Sequence, residues 1–268
     1  MQLYNSFRIA ERMAAETSHR EPDVLRSLTL PVAVAVAVVT FAAWYVTWAT
    51  TDTVMAFFDP MAPAEPMQVA LFFVLLVVMM VAMMLPSALP MVVTYHGLTR
   101  LEAGRPTRPA DTVRTALFAS SYFLVWGGFG VVALLGLIAM GILDPMMGSI
   151  PLVSAGVLLA AGLYQLTRPK EVCLSHCQSP MGFVMHAWRP GRAGALRMGL
   201  HHALYCIGCC WLFMIALFVA GAMSLPWMGV ISVAIFAEKL GTHPEWTRRG
   251  IAAVLVGLSL VLVVQAMW

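Results

Sequence analysis

Charge is what this sequence has least of. Its 268 residues include 16 Lys or Arg and 13 Asp or Glu, 11% in all, whereas 60% are hydrophobic. Mean hydropathy is +0.83, more apolar surface than a soluble domain of this length can bury. Runs that alternate apolar with polar residues are also missing. A transmembrane β-barrel is built from such runs, so the expected fold is all-α, a polytopic membrane helical bundle. The leading segment lacks the short apolar region and small-residue cleavage site of a secretory signal. Low-complexity tracts and a separate soluble domain are absent, and the formal net charge of +3 calls for no nucleic-acid partner.

What is present is a series of long apolar stretches, near 28–50, 67–95, 115–141, 150–167, 198–222, 225–240 and 250–267. A helix needs about 20 residues to cross a hydrocarbon core about 30 Å thick, and most of these stretches suffice alone. Basic residues fill alternate connections: Arg8, Arg12, Arg20 and Arg26 at the start; Arg100, Arg105, Arg108 and Arg114; Arg168, Lys170, Arg189, Arg192 and Arg197; then Lys239, Arg248 and Arg249. Segments 51–66, 142–149 and 223–226 contain no Lys or Arg. The bias predicts about seven transmembrane helices, with the N-terminus cytoplasmic and the C-terminus outside, in an inner (cytoplasmic) membrane. Residues 1–27 read as a cytoplasmic amphipathic segment, and 28–268 as the membrane domain with a cytoplasmic Cys/His loop at 168–197. Basic residues not used for topology suit anionic lipid headgroups.

All five cysteines lie in that loop or in the helix after it, and none in a predicted outer loop. This argues against an extracellular disulfide framework and leaves the thiols available as ligands. In "MGLHHALYCIGCCWLFM", a helix advancing about 100° per residue puts Cys206 about 40° from His202 on one side and Cys209 about 20° on the other. Cys210 lies beside this stripe and Met198 one turn earlier, while His201 points away. Thiolate and imidazole at this spacing suit a soft ion, copper or alternatively zinc; the plain alternative is that buried cysteines act as small apolar residues. A second cluster, "CLSHC", offers Cys173, His176 and Cys177, which share a turn if the loop is helical.

A third pattern, "MMVAMMLPSALPMVVTYHG", places Met80, Met83, Met84, Ser87 and Met91 on one stripe. Pro86 and Pro90 are expected to bend and open this helix, and Tyr95 and His96 close it. Met80, Met84 and His96 join the candidate ligands, although Met is also a flexible packing residue. Glu238 is expected to form an interfacial ion pair with Lys239, or to serve as a hard ligand. Glycines 127, 128, 130, 136 and 141 should allow close helix contact.

The segments "MMVAMMLPSALPM", "AGLYQLTRPKEVCLSHCQSP", "HHALYCIGCCWLFM" and "SLPWMGVISVAIFAEKL" together resemble the bacterial family of predicted metal-binding integral membrane proteins, a domain of unknown function. The resemblance covers roughly residues 67–265. It implies metal binding, with Cys173, Cys177, His202, Cys206, Cys209, Cys210 and Glu238 at the matching positions. Three functions fit the sequence. The first is transport or delivery of a soft metal, with a metallochaperone or membrane-complex partner. The second is a membrane-embedded metalloenzyme or thiol oxidoreductase, and the third a non-catalytic subunit or assembly factor. The last helix has no lysine for a retinal Schiff base, which sets a seven-helix photoreceptor aside.

Overall fold

The computed structural model describes residues 30–53, 66–100, 110–139, 151–219, 224–241 and 243–267. The amphipathic segment expected at 1–27 lies outside the described residues. Regular structure among the described residues is entirely helical. Helix α1 spans Leu30–Ala49, α2 Pro66–Leu98, α3 Thr112–Ala139 and α4 Pro151–Tyr164. Two short helices follow, α5 at Arg168–Gln178 and α6 at Pro180–Ala187. Then come α7 at Gly191–Val219, α8 at Leu225–Leu240 and α9 at Pro244–Met267.

Five of these, α1, α2, α3, α7 and α9, are long and apolar enough to cross a membrane. Helices α4 and α8, with 14 and 16 residues, rise only about 21 and 24 Å at about 1.5 Å per residue. The exposed faces of α1 and α9 carry Val, Leu and Phe side chains, as a lipid-facing surface should. The core lies instead between α2, α3, α7 and α8, around Met80, Met84, Trp126, Cys206, Met214 and Met228.

Helix α2 runs as one helix through Pro86 and Pro90; neither proline has an N–H, so the carbonyls of Ala82 and Pro86 lose their helical donors while the helix continues. The Ser87 hydroxyl donates to the Met84 carbonyl at 2.8 Å, and that of Thr94 to the Pro90 carbonyl at 2.7 Å. Local hydroxyls and neighbouring helices let a packed membrane helix tolerate proline.

Small residues set the helix spacing. A Cβ on Gly130 would meet Leu76 at 3.1 Å, and one on Gly127 would meet Phe73 at 3.7 Å, so these two glycines seat α3 on α2. Gly128 and Gly136 have open space, and Gly141 lies outside the described residues. The tightest crossings fall on α7. At Gly199 an added Cβ would lie 2.5 Å from the Phe118 carbonyl oxygen of α3, a backbone atom that cannot rotate away. Gly199→Ala should therefore force α3 and α7 apart and destabilise the bundle by about 1–3 kcal/mol. Unfolding of the detergent-solubilised variant measures this, and wild-type stability would show the contact to be slack.

The stretch 168–197 is not an open loop. Thr167 precedes α5, Pro169 fits its first turn, and Pro180 opens α6, since proline at a helix start gives up only a donor that has no partner there. Helix α5 buries Lys170, Leu174 and Cys177 against α7. It is tied to α9 by Glu171 and Arg248 at 3.5 Å, and to α8 by Gln178, whose Nε2 donates to the Glu238 carbonyl at 2.7 Å.

Candidate metal centre

The period of α7 sorts its side chains as the sequence predicts. Met198, His202, Cys206, Cys209 and Cys210 are all buried, while His201 is exposed. Their surroundings come from three other helices. From α5, Cys173 and Cys177 turn toward α7: a Cβ at Gly208 would fall 2.5 Å from the Cys173 Sγ, and Cys177 joins Cys206, Cys209 and Cys210 in one buried cluster. From α2, the Met84 Sδ lies 3.7 Å from the Cys210 Sγ. From α8, the Lys239 Nζ donates to the Cys206 Sγ at 3.1 Å and to the Ser87 Oγ at 3.1 Å. The result is a connected band of thiols and one thioether with an ammonium at its edge. All five cysteines are free.

The Cys209 and Cys210 thiols are engaged with the backbone. Cys209 and Cys210 both donate to the Cys206 carbonyl, at 3.1 and 2.8 Å. Among the described residues, no three His, Cys, Asp or Glu side chains converge into a finished metal cage. The donor set nevertheless suits a soft monovalent ion: sulfur ligands dominate, and a thiol pointing at a carbonyl is freed by one side-chain rotation. Burial pushes the Cys173 thiol above its ordinary pKa; Cys209 adds to the rise and Lys170 opposes it. That thiol is protonated at neutral pH, so a metal binding there displaces a proton.

His202 sits at one end of the band. Its Nδ1 is hydrogen-bonded to the Tyr122 hydroxyl of α3, and its buried Nε2 has no partner. A partner that fixes one ring nitrogen and leaves the other open is how proteins orient a metal-binding imidazole. Other candidates lie elsewhere. His176 stacks on Tyr205 with ring centroids 4.1 Å apart and bonds the Val172 carbonyl through Nδ1, so the "CLSHC" turn sends its thiols one way and its imidazole another. His96 hydrogen-bonds Thr115 of α3 at 2.8 Å. Met80 is fully buried in the core one turn from Met84.

Glu238 is not paired with its neighbour Lys239. Successive helical residues do not face each other, and the Glu238 Oε2 instead receives Lys170 of α5 at 2.6 Å. The Lys170 ammonium also donates to the Cys209 carbonyl and lies 5.0 Å from the centre of the Phe213 ring. Two lysines counted for topology are thus core residues of the sulfur site. Sequence reasoning missed both; the only signal was their closeness in the chain to Cys173 and Glu238.

A profile of the copper chaperone family PpoB2 matches residues 73–262 of this chain. The chain belongs to that family. The match covers α3 to α8 and most of α2 and α9, and so includes every residue of the sulfur band. Among curated proteins and among solved structures, none matches this member of the copper chaperone family.

Proposed function

We propose that this protein is a multi-pass carrier of Cu(I) in a bacterial inner membrane, which takes copper from the cytoplasmic side and delivers it onward. The observation that carries the reading is the single buried cluster that holds Cys177, Cys206, Cys209, Cys210 and Met84, with the Met84 Sδ 3.7 Å from the Cys210 Sγ, which brings sulfur from α5, α7 and α2 together. Sulfur ligands favour Cu(I) over hard divalent ions. Thiols held by a carbonyl, not locked in a cage, suit a carrier that must also let its ion go. Cys206, Cys209, Cys210 and Cys177 are the main ligands in this proposal. Cys173, His202, Met80 and Met84 extend the path, and Glu238 serves through Lys170.

The basic residues of alternate connections support seven crossings, with α4 and α8 as the two short ones and the N-terminus inside. They likewise support residues 28–268 as one membrane domain.

Purified protein should bind Cu(I) in competition with a chromogenic chelator. Cys206→Ser with Cys209→Ser should abolish that binding while the protein stays folded, because a hydroxyl is a poor ligand for a soft ion. Wild-type Cu(I) affinity in the double variant would refute the assignment.

A further inference from the structure

Beside the sulfur band the helices α5, α6 and α7 enclose a cleft of about 1170 Å³, large enough for a peptide-sized ligand. Its charge is one-sided. Arg189, Arg197, His176, His186 and His201 line it, and among the described residues no Asp or Glu does. Walls of one sign in a concave site concentrate ligands of the opposite sign.

The cleft also meets the end of the ligand stripe. Met198 is a wall residue, held by the Arg189 backbone N–H, which donates to its Sδ at 3.2 Å. His202 is one turn further along α7. Phe183 lines the cleft and packs edge-on against the His202 ring with centroids 5.0 Å apart, so one aromatic ring separates the cleft from the buried imidazole. The Nε2 of that imidazole has no partner. A basic cleft ending at an unpartnered buried ligand has the layout of a loading port.

We propose that this cleft receives Cu(I) as the complex of a small, carboxylate-bearing thiol, with Arg189 and Arg197 holding the carboxylates. The inference rests on the copper-carrier reading and names its donor. Copper stays Cu(I) throughout: the two Cu–S bonds to the donor break, two Cu–S bonds to protein thiols form, and the two protein thiol protons leave on the departing donor thiols. Met198 and His202 lie on the way from the cleft to Cys206 and Cys209.

The test uses the full-length protein in zwitterionic lipid nanodiscs and follows Cu(I) uptake over time from two donors, the Cu(I)–glutathione complex and Cu(I)–acetonitrile, which is cationic and has no carboxylate. Arg189→Gln with Arg197→Gln should slow uptake from glutathione about tenfold. The final copper content and the rate from acetonitrile should be unchanged. Equal rates from glutathione in wild type and variant, or equal slowing with both donors, would overturn the proposal. So would anionic lipid that abolishes the glutathione effect, since the arginines would then serve headgroups. Wild-type protein that loads from acetonitrile but not from glutathione would sink this inference alone, whereas loading from neither would sink the copper reading itself.

Discussion

Lys170→Met should destabilise the protein by about 3–5 kcal/mol, the largest loss expected from any single substitution at the sulfur site. The Lys170 and Glu238 side chains are 1% and 2% exposed and 2.6 Å apart, so each is the other's means of tolerating burial. Without the ammonium, the Glu238 carboxylate must either stay charged in a medium that solvates it poorly or take up a proton. The Cys209 carbonyl loses a donor as well. Adding Glu238→Gln to Lys170→Met removes the stranded charge and should recover a substantial part of the loss, because deleting both members of a buried pair costs much less than deleting one. Unfolding of the single and double variants closes the cycle, and additive losses would show that the two groups do not act as a pair.

Lys239→Met should have the opposite profile, lowering Cu(I) affinity about 10–100-fold with little loss of stability. The hydrogen-bond partners of Lys239 are a thiol and a hydroxyl, Cys206 and Ser87, which accept its protons without neutralising it. Cu(I) held by two thiolates carries one negative charge. The ammonium cancels that charge where the surroundings screen it weakly, so its benefit arises only when copper is bound. Chelator competition gives the affinity and thermal unfolding the stability; a variant with wild-type affinity would remove Lys239 from copper handling. The contrast separates two lysines that look alike in the sequence, one holding the fold and one holding the charge of the bound complex.

The ligand face of α7 was legible because helical periodicity is a local property. Knowing only that residues 198–214 are helical, one can place His202, Cys206 and Cys209 together and turn His201 away, and burial follows that division. Partners across helices were not legible in this way. Lys170 and Lys239 occupy connections where basic residues ordinarily mark the cytoplasmic side, and nothing in "RPKEVC" or "AEKL" states that these segments fold back onto α7. Without them, Arg168, Arg189, Arg192 and Arg197 still make one connection basic, and Arg248 and Arg249 the other. Helix α2 continues through Pro86 and Pro90 for a similar reason. Proline removes a local donor, but packing against neighbours decides whether the chain breaks.

The pairing of Lys170 with Glu238 also orders events during synthesis. The two residues are 68 positions apart, and a chain is made from its N-terminus, so α5 exists well before the carboxylate that lets its lysine leave water. Until α8 has been made, seating α5 against α7 would strand an ammonium in an apolar core. Docking of α5, and with it the burial of Cys177, should therefore wait until the chain is nearly complete.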